Sequence, residues 1–418
     1  MNLSGNAKPS DVVEALQTHP VRISSMDQFR GYTVIGMCIV NFLGNLAAIH
    51  PVLKHNNNYF SYADSIMPSF MFACGFSYRL SALRRLSQVG SSATYRRFIS
   101  RSLGLVLVSV MMYGFGGDFK TWNDVTVTTL ARFGFKLIKA DLWETLAIIG
   151  VAQLLIMPVI AARVRTRVLT LICFLIIHLV ISYLFNVDLL YGQPNALDRT
   201  LGILGSTAWD GGIFGLLVWG SMMLAGSLAY DAAYLVSPWR GASRLIAAGI
   251  LMMSLGYGLS CLSMLYDGEK SRGNGNVAAS PVWPPFERLS GRPLSSLIAE
   301  PPFVRPPPPQ QRPNNYWMMH KKIVSWPFFF FSTGFAAALY GIFIFGCDNL
   351  GLAIGIFRTF GQNALAAYVL HHMVEEQILT LIPNDSPLWW CLVGLTAFCT
   401  VTYTFVRFLE RQRIFIRL

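Results

Sequence analysis

The chain has 418 residues, of which 53% are hydrophobic and only 13% are charged, and its formal net charge is +12 at pH 7. Soluble globular domains carry about 25% charged residues, so this composition excludes an ordinary soluble domain and predicts the lipid bilayer as the main partner. Because the basic residues punctuate apolar runs instead of clustering on one face, we expect no nucleic-acid partner.

Apolar stretches long enough to cross a membrane follow one another along the chain. A bilayer core needs about 20 mostly apolar helical residues, because each backbone group must find its partner within the segment. Ten stretches meet this requirement and predict an all-α, polytopic integral membrane protein with about ten transmembrane helices. They are roughly 31–50, 65–83, 101–117, 143–163, 168–187, 210–230, 244–266, 324–347, 360–383 and 387–408. The run 125–140 carries three cations and is assigned to the membrane interface.

The distribution of Lys and Arg predicts the orientation. Lys and Arg in short loops stay on the cytoplasmic side of the membrane. If the N-terminal segment, 1–30, is cytoplasmic, most Lys and Arg residues of this chain fall in cytoplasmic segments. An even number of spans then brings the basic tail, 409–418, to the same side, so both termini are predicted to be cytoplasmic. The membrane core comprises helices 1–7 in 31–266 and helices 8–10 in 324–408.

The segment between these two parts, 267–323, is a long non-cytoplasmic loop. Its run PPFVRPPPPQQRP favours extended, solvated backbone, so we expect the loop to be disordered or a flexible cover. The first 20 residues contain no apolar h-region and no small-residue cleavage site, and no cleaved signal peptide is expected. We expect the inner cell membrane as the location, with a lysosomal or other organelle membrane as the alternative.

Several common sites have no sequence support. The seven cysteines form no CxxC pair and no Cys/His metal spacing, so no metal site is predicted. Motifs for nucleotide hydrolysis, Rossmann binding and zinc proteolysis are missing as well. Gly351 and Gly355 have a GxxxG-type spacing that allows close helix packing, and a homodimer is left open on this ground.

Polar groups inside spans are costly and are therefore functional candidates. Asn41 lies in the first span, with Asn45 one turn further on the same face, although a helix–helix hydrogen bond explains them equally well. The ninth span contains Asn363 and His371, eight residues apart, which can both face the bundle interior. Adjacent His371 and His372 are not expected to share one face. Weaker candidates are Glu144, Gln153, His178 and Asp210.

The segment between the first two spans contains His50, His55 and Asp64. Imidazole is a natural general base or nucleophile near neutral pH, whereas a loop histidine is more often solvated surface. Ser61-x-x-Asp64 before an apolar run also resembles a helix capping box.

Three motifs together resemble the transmembrane acyltransferase family of heparan-α-glucosaminide N-acetyltransferase. The family's opening R-x-x-S-x-D-x-x-R-G, its loop histidine and its late G-x-N-x-x-x-x-Y-x-x-H helix all have counterparts. The matching residues are Arg22, Ser25, Asp27, Arg30, Gly31, Asn41, His55, Ala63, Asp64, Pro68, Gly75, Gly361, Asn363, Tyr368 and His371. The spacing from Asn41 to the histidine differs from the family's, so His50 stays open as an alternative to His55.

This resemblance implies transfer of an acetyl group from cytoplasmic acetyl-CoA, a co-substrate, to an amino sugar or related glycan acceptor on the opposite face. It implies His55 and Asn41 as catalytic residues. Supporting or substrate-binding residues would be Asp27, Arg30, Asp64, Asn363, Tyr368 and His371. The CoA phosphates need cations, and guanidinium groups suit them. The candidates for this role are Arg79, Arg84, Arg85, Arg96 and Arg97.

Two alternatives of different classes stay open. One is a cell-surface O-acyltransferase of another membrane superfamily, which usually has a histidine at the position of Asn41. The other is a transporter or scaffold that has the same fold without catalysis. Acyl-CoA hydrolysis or transfer by the purified protein distinguishes it from the enzymes.

Overall fold

A computed structural model describes most of the chain: residues 23–114, 119–193, 195, 199–200, 208, 210–234, 238–272, 276–290 and 293–416. This part of the chain is mostly helical, which confirms the predicted all-α class. Arg22 and most of the predicted N-terminal segment lie outside the described residues.

Twelve α-helices occur in the described part of the chain. They are α1 (Ser24–Gly44), α2 (Tyr62–Tyr113), α3 (Val127–Lys136), α4 (Thr145–Ile156), α5 (Val164–Ile181), α6 (Val187–Tyr191), α7 (Gly212–Tyr234), α8 (Pro238–Ser260), α9 (Trp326–Phe343), α10 (Gly355–Gln362), α11 (Ala364–Leu379) and α12 (Leu388–Arg411). Short π-helical turns extend α3, α5 and α9, at Leu137–Asp141, Ser182–Asn186 and Ile344–Asn349.

Five of the helical segments are long and apolar enough to cross a membrane. They are Val164–Tyr191, Gly212–Tyr234, Trp239–Tyr266, Trp326–Asn349 and Leu388–Arg411. The segments of α7 and α9 are largely buried, whereas α5, α8 and α12 expose apolar side chains such as Leu169, Leu251 and Val401. Because apolar surface on this scale is stable in contact with lipid, α7 and α9 form the centre of the bundle and the other three its periphery.

Helix α2 consists of two arms that fold back on each other at Gly90. The helix breaks there, since Gly90 has a φ of +80°, a left-handed conformation that suits glycine. The rings of Tyr78 and Phe98 lie 4.6 Å apart, although twenty residues of straight helix would separate them by about 30 Å. The predicted second and third spans are therefore two antiparallel arms joined by a minimal turn.

Glycines of the sequence motifs lie where helices cross closely. A methyl group on Gly31 would lie 1.8 Å from the carbonyl oxygen of Phe357 in α10, and one on Gly361 would lie 1.9 Å from that of Asp27. Gly75 in α2 makes the same kind of approach to Met223 in α7. These glycines allow backbones to touch and so explain part of the motif as packing.

Two predictions about the late helices are corrected. Gly351 lies outside any helix and has a φ of +70°, so Gly351 and Gly355 do not form a helix-packing GxxxG motif. The predicted ninth span is also interrupted, because Asn363 has a non-helical backbone and separates α10 from α11.

The loop 267–323, which we call the cover, contains in its described residues a two-stranded ribbon, Ser271–Arg272 with Val277–Ala278, and two short 3₁₀ turns. Its buried side chains, among them Val277 and Tyr316, form a cluster with residues of α6 such as Val187. The cover therefore has a small apolar core of its own that is continuous with the helices.

Polar contacts hold the Pro-rich part of the cover. Arg312 is only 2% exposed and pairs with both Asp267 and Glu300, each at 2.5 Å. The Phe303 backbone N–H donates to the carbonyl of Phe60, just before α2, at 2.8 Å. The expected cover thus has defined contacts that its proline-rich composition did not indicate.

Candidate active site

The loop before α2 folds around the carboxylate of Asp64. Ser61 is the N-cap of α2, and its hydroxyl accepts the Asp64 N–H and donates to the Asp64 side chain at 2.6 Å. The Asn56 N–H donates to the same carboxylate at 3.1 Å. Asp64 is fully buried, so these donors compensate for its loss of water. Ser61 is thus the N-cap, but the reciprocal half of the predicted capping box is not observed, because the Asp64 carboxylate accepts from the Asn56 N–H and not from the Ser61 backbone N–H.

His55 completes the shell of this carboxylate. Its Nδ1 lies 3.1 Å from Asp64 Oδ1, and because a carboxylate only accepts, Nδ1–H must be the donor. In the neutral ring the lone pair is then on Nε2, which makes no hydrogen bond to the described part of the chain. A histidine held by a buried carboxylate in this way has a fixed tautomer and a free basic nitrogen.

Asn41 of α1 is held by a histidine from α11. His371 Nδ1 lies 2.5 Å from the carbonyl oxygen of Tyr368 and must donate to it, so His371 Nε2 is an acceptor. The Asn41 side-chain nitrogen lies 3.2 Å from this Nε2 and therefore donates one N–H to it. The second amide N–H and the carbonyl oxygen of Asn41 are left for other partners.

A second polar group surrounds Tyr113, at the end of the second arm of α2. Its hydroxyl lies 2.6 Å from His372 Nε2 and 3.1 Å from the hydroxyl of Tyr368. The rings of His371 and His372 have centroids 4.1 Å apart, so the expectation that they do not share one face is corrected. Sequence reasoning missed Tyr113, since a tyrosine that ends an apolar run carries no distinguishing signal.

Two cavities meet at these side chains. The larger, of about 650 Å³, is mostly polar and is lined by Val40, Asn41, Gly44, Asn45, Pro51, Lys54, His55, Asn56, Asn58, Tyr59, Arg305, His372 and Glu375. The smaller, of about 340 Å³, has a lining surface that is more apolar than polar, although half of its lining residues are polar or charged. The lining residues are Thr33, Met37, Val40, Asn41, His55, Asn57, Ile66, Met67, Phe70, Tyr113, Trp143, Glu144, Thr145, Asp210, Lys321 and Tyr368. We call them the polar and the apolar cavity. Val40, Asn41 and His55 line both.

The two candidate histidines occupy different environments. His50 is exposed and caps the 3₁₀ turn Pro51–Leu53, where its Nδ1 accepts the Val52 N–H at 3.3 Å. It belongs to the lining of neither cavity, whereas His55 belongs to both. The geometry therefore favours His55 for chemistry and gives His50 a local structural role.

The opening motif lies away from both cavities. Arg30 and Asp27 form an ion pair on one turn of α1. The Ser25 hydroxyl donates to Asp348 at 2.6 Å, and the Tyr234 hydroxyl donates to the same carboxylate at 2.6 Å. These contacts tie the start of α1 to α7 and to the turn after α9.

Asn363 is also separate from the cavities. It is fully buried, and its side-chain N–H donates to the carbonyl of Ile414, after α12, at 3.1 Å. It therefore joins the break between α10 and α11 to the C-terminal segment. Both Asn363 and His371 are buried, as predicted, but only His371 contacts a residue that lines the cavities.

The arginines predicted to bind CoA divide into two groups. Arg79 is buried, and its guanidinium donates to both oxygens of Asp231 at 3.2 Å and to the Ile160 carbonyl at 2.8 Å. Arg84 and Arg85, one turn further on, line a shallow groove of about 300 Å³. Arg96 and Arg97 are exposed on the other arm of α2.

Comparison with known families decides the assignment. The family model described as heparan-alpha-glucosaminide N-acetyltransferase, catalytic, matches residues 22–258, which is more than half of the chain. The chain belongs to this family. It is an integral, multi-pass membrane protein of a transmembrane acetyltransferase family. No curated protein matches the chain.

The match to the heparan-alpha-glucosaminide N-acetyltransferase family covers only part of the site. It includes Asn41, His55 and Asp64 and ends inside α8, before the cover and helices α9 to α12. His371 and His372 therefore reach the site from a region that the family model does not match. The family assignment also argues against a member of the other acyltransferase superfamily.

Proposed function

We propose that the protein transfers an acetyl group from acetyl-CoA on the cytoplasmic side to an amino sugar or related glycan acceptor on the opposite side. The observation that carries this proposal is that Asn41 and His55 line both the polar and the apolar cavity, with His55 held by buried Asp64. A transferred group entering from one cavity can therefore meet an acceptor that enters from the other.

The first arm of α2 supports opposite positions for the donor and the acceptor. Asp64 lies at its start and Arg84 near its end, twenty residues later, which corresponds to about 30 Å of helix. This length matches the hydrocarbon thickness of a bilayer. The groove at Arg84 and Arg85 offers two guanidinium groups to the phosphates of CoA. Arg79 is left out of this role because Asp231 already binds it.

The apolar cavity suits the arm that carries the thioester. Along α1 its lining runs from Thr33 through Met37 to Asn41, a face of the helix about 12 Å long. An uncharged chain can lie along this face of α1 without burying a charge. The thioester carbonyl would then reach Asn41, whose free amide N–H can stabilise the oxyanion that forms during transfer.

His55 supplies the proton chemistry. Its Nε2 accepts a proton from the acceptor amine as the amine nitrogen attacks the thioester carbonyl. The new C–N bond forms, the C–S bond breaks, and the CoA thiolate leaves and takes up a proton. In the variant with a covalent intermediate, Nε2 itself attacks the thioester carbonyl, the C–S bond breaks and the CoA thiolate leaves. The acceptor amine then displaces Nε2 from the acetyl group, and the proton that the amine loses goes to the thiolate.

We further propose about ten spans with both termini cytoplasmic, in the inner cell membrane. The excess of Lys and Arg in the segments assigned to the cytoplasmic side supports this orientation. Cysteines engineered at positions 55 and 96 test it with a membrane-impermeant thiol reagent applied from each side. Labelling of both positions from one side would exclude the transmembrane route.

The activity itself is tested with purified protein, acetyl-CoA and glucosamine. Wild type is expected to form N-acetylglucosamine, His55→Ala to form none, and His50→Ala to retain activity. An O-acetylated product would favour the chemistry of the other superfamily. If the protein neither transfers the acetyl group nor hydrolyses acetyl-CoA, a transporter or scaffold would be the remaining interpretation. Incubation without acceptor distinguishes the two routes, since only the covalent one yields an acetylated peptide containing His55.

A further inference from the structure

One cluster of side chains has no direct chemical step in the proposed reaction. His371, His372 and Glu375 follow one another on α11, and one potential ligand atom of each lies within 4.8 Å of the other two. His372 and Glu375 line the polar cavity. No metal site was predicted from the sequence, because these residues become neighbours through a helical turn and not through a Cys/His motif.

Two further observations point to a ligand at this cluster. Glu375 Oε2 is buried and has no hydrogen-bond partner in the part of the chain that the structure describes. A buried carboxylate oxygen without a partner is costly, and a cation would satisfy it. His371 donates its Nδ1–H to the Tyr368 carbonyl at 2.5 Å, the arrangement that orients metal-binding histidines through their other nitrogen.

We propose that His371, His372 and Glu375 bind one divalent transition-metal ion of the zinc class. Two imidazoles and one carboxylate are ligands that zinc accepts, and a three-ligand set leaves a fourth position for water or a substrate amine. That position would face the polar cavity. Closing the ligands to the about 3.3 Å separation of a tetrahedral site with bonds of about 2.05 Å requires rotation of His372 and Glu375, which are not fully buried.

The geometry also predicts that the bound metal ion inhibits the proposed acetyl transfer. His371 Nε2 has one lone pair, which now accepts the N–H of Asn41. The same lone pair cannot bind a metal ion and accept this hydrogen bond together. Metal binding would therefore release Asn41 from the orientation that the transfer uses. This consequence rests on the proposed function, whereas binding of the ion does not.

The test begins with metal-depleted full-length protein in detergent, titrated with zinc chloride by calorimetry and by thermal unfolding. We expect about one zinc ion per chain and a higher unfolding midpoint, because a ligand of the native state stabilises it. Glu375→Gln and His372→Gln should each weaken binding at least about tenfold. His50→Gln removes an exposed histidine far from the cluster and should bind as wild type does. The unfolding midpoint of each variant without zinc checks that it is folded.

Equal zinc affinity in wild type, Glu375→Gln and His372→Gln would overturn the site, as would failure of wild type to bind. Zinc should also inhibit acetyl transfer by wild type and inhibit Glu375→Gln at least about tenfold less strongly. If zinc binds as expected but wild type transfers no acetyl group, the proposed function fails and the metal site stands.

Discussion

The two ends of the first arm of α2 hold buried charges in different ways. At the start, the Asp64 carboxylate binds His55, whose ring is 45% exposed and whose second nitrogen has no partner in the described part of the chain. At the other end, Asp231 of α7 is bound by the guanidinium groups of Arg79 and Arg167.

The cluster of Asp231, Arg79 and Arg167 uses nearly all of its hydrogen-bonding capacity internally. Besides Asp231, Arg167 donates to Ser227 at 2.8 Å and to the carbonyl of Ala162, and Arg79 donates to Ile160. These arginines line neither the polar cavity, nor the apolar cavity, nor the groove at Arg84 and Arg85. Saturated polar groups of this kind fix the helices, whereas the His55 pair keeps a free atom at a cavity.

The contrast teaches that burial of charge does not by itself identify a reaction site. Both ends contain a buried carboxylate with a basic partner, and both would be flagged by their cost in a membrane. Only the end with spare hydrogen-bonding capacity can bind and convert another molecule. The comparison therefore predicts loss of activity at one end and loss of stability at the other.

Asp64→Asn should have the largest effect on activity. An amide in place of the carboxylate can donate to His55 Nδ1, which would shift the ring proton to Nε2 and remove the base. We expect a decrease of about 10³-fold in kcat for acetyl transfer, within the range of about 10² to 10⁴ that general-base catalysis contributes. Ser61→Ala is the control, because it weakens the cap by about 1 kcal/mol but keeps the carboxylate. Full activity of Asp64→Asn would remove the pair from the chemistry.

Asp231→Asn should instead act on stability. It leaves the guanidinium groups of Arg79 and Arg167 buried without a counter-charge, and breaking such a cluster costs about 3–5 kcal/mol. The unfolding midpoint of the purified protein is the measurement. Arg84→Gln, in the open groove, should leave the midpoint close to wild type. If Asp231→Asn unfolded at the wild-type temperature, the proposed difference between the two ends of the first arm of α2 would be wrong.

Much of the fold could be predicted from sequence, because apolar length and period determine helices in a membrane protein. The hydrogen-bonded pairs seen in the structure could not be predicted, since they join positions that are distant in sequence. Asn41 and His371 are 330 residues apart, and nothing local to either indicates the other. Arg79 and Arg84 look alike on one helix, and only Asp231, 152 residues from Arg79, distinguishes them.

Local rules were more informative where the contact is local. Ser61 could be recognised as an N-cap because its contact with the Asp64 N–H spans one turn. The same motif did not indicate that Asp64 also holds His55, since the conformation of the intervening loop decides it. The adjacent histidines were misjudged for a related reason, because flexible side chains can converge even when their Cα–Cβ bonds diverge.

Gly31→Ala should destabilise the crossing of α1 and α10. The added methyl group would lie 1.8 Å from a backbone oxygen of Phe357, and backbone cannot move aside as a flexible side chain can. We expect a loss near the top of the range of about 1–3 kcal/mol for overpacking, measured as a lower unfolding midpoint. Gly44→Ala, at the end of the same helix, has no atom within 4 Å of the new methyl group and is the matched control. Equal midpoints for the two variants would contradict the close crossing.

The cover should make stability depend on pH through His320. This histidine is fully buried against Tyr191, and burial, with a smaller contribution from Lys322, lowers its pKa from 6.5 to about 3. As the pH falls below 6.5, the unfolded chain takes up a proton that the folded chain does not, so stability is lost.

Between pH 7 and pH 5 this loss amounts to about 2 kcal/mol, at about 1.4 kcal/mol per pKa unit. The difference in unfolding midpoint between these two pH values is the measurement, and His320→Asn should make it smaller because the titrating group is gone. His50→Asn removes an exposed histidine and should leave the difference unchanged. If His320→Asn responded to pH as wild type does, the cover would not hold a neutral histidine in its interior.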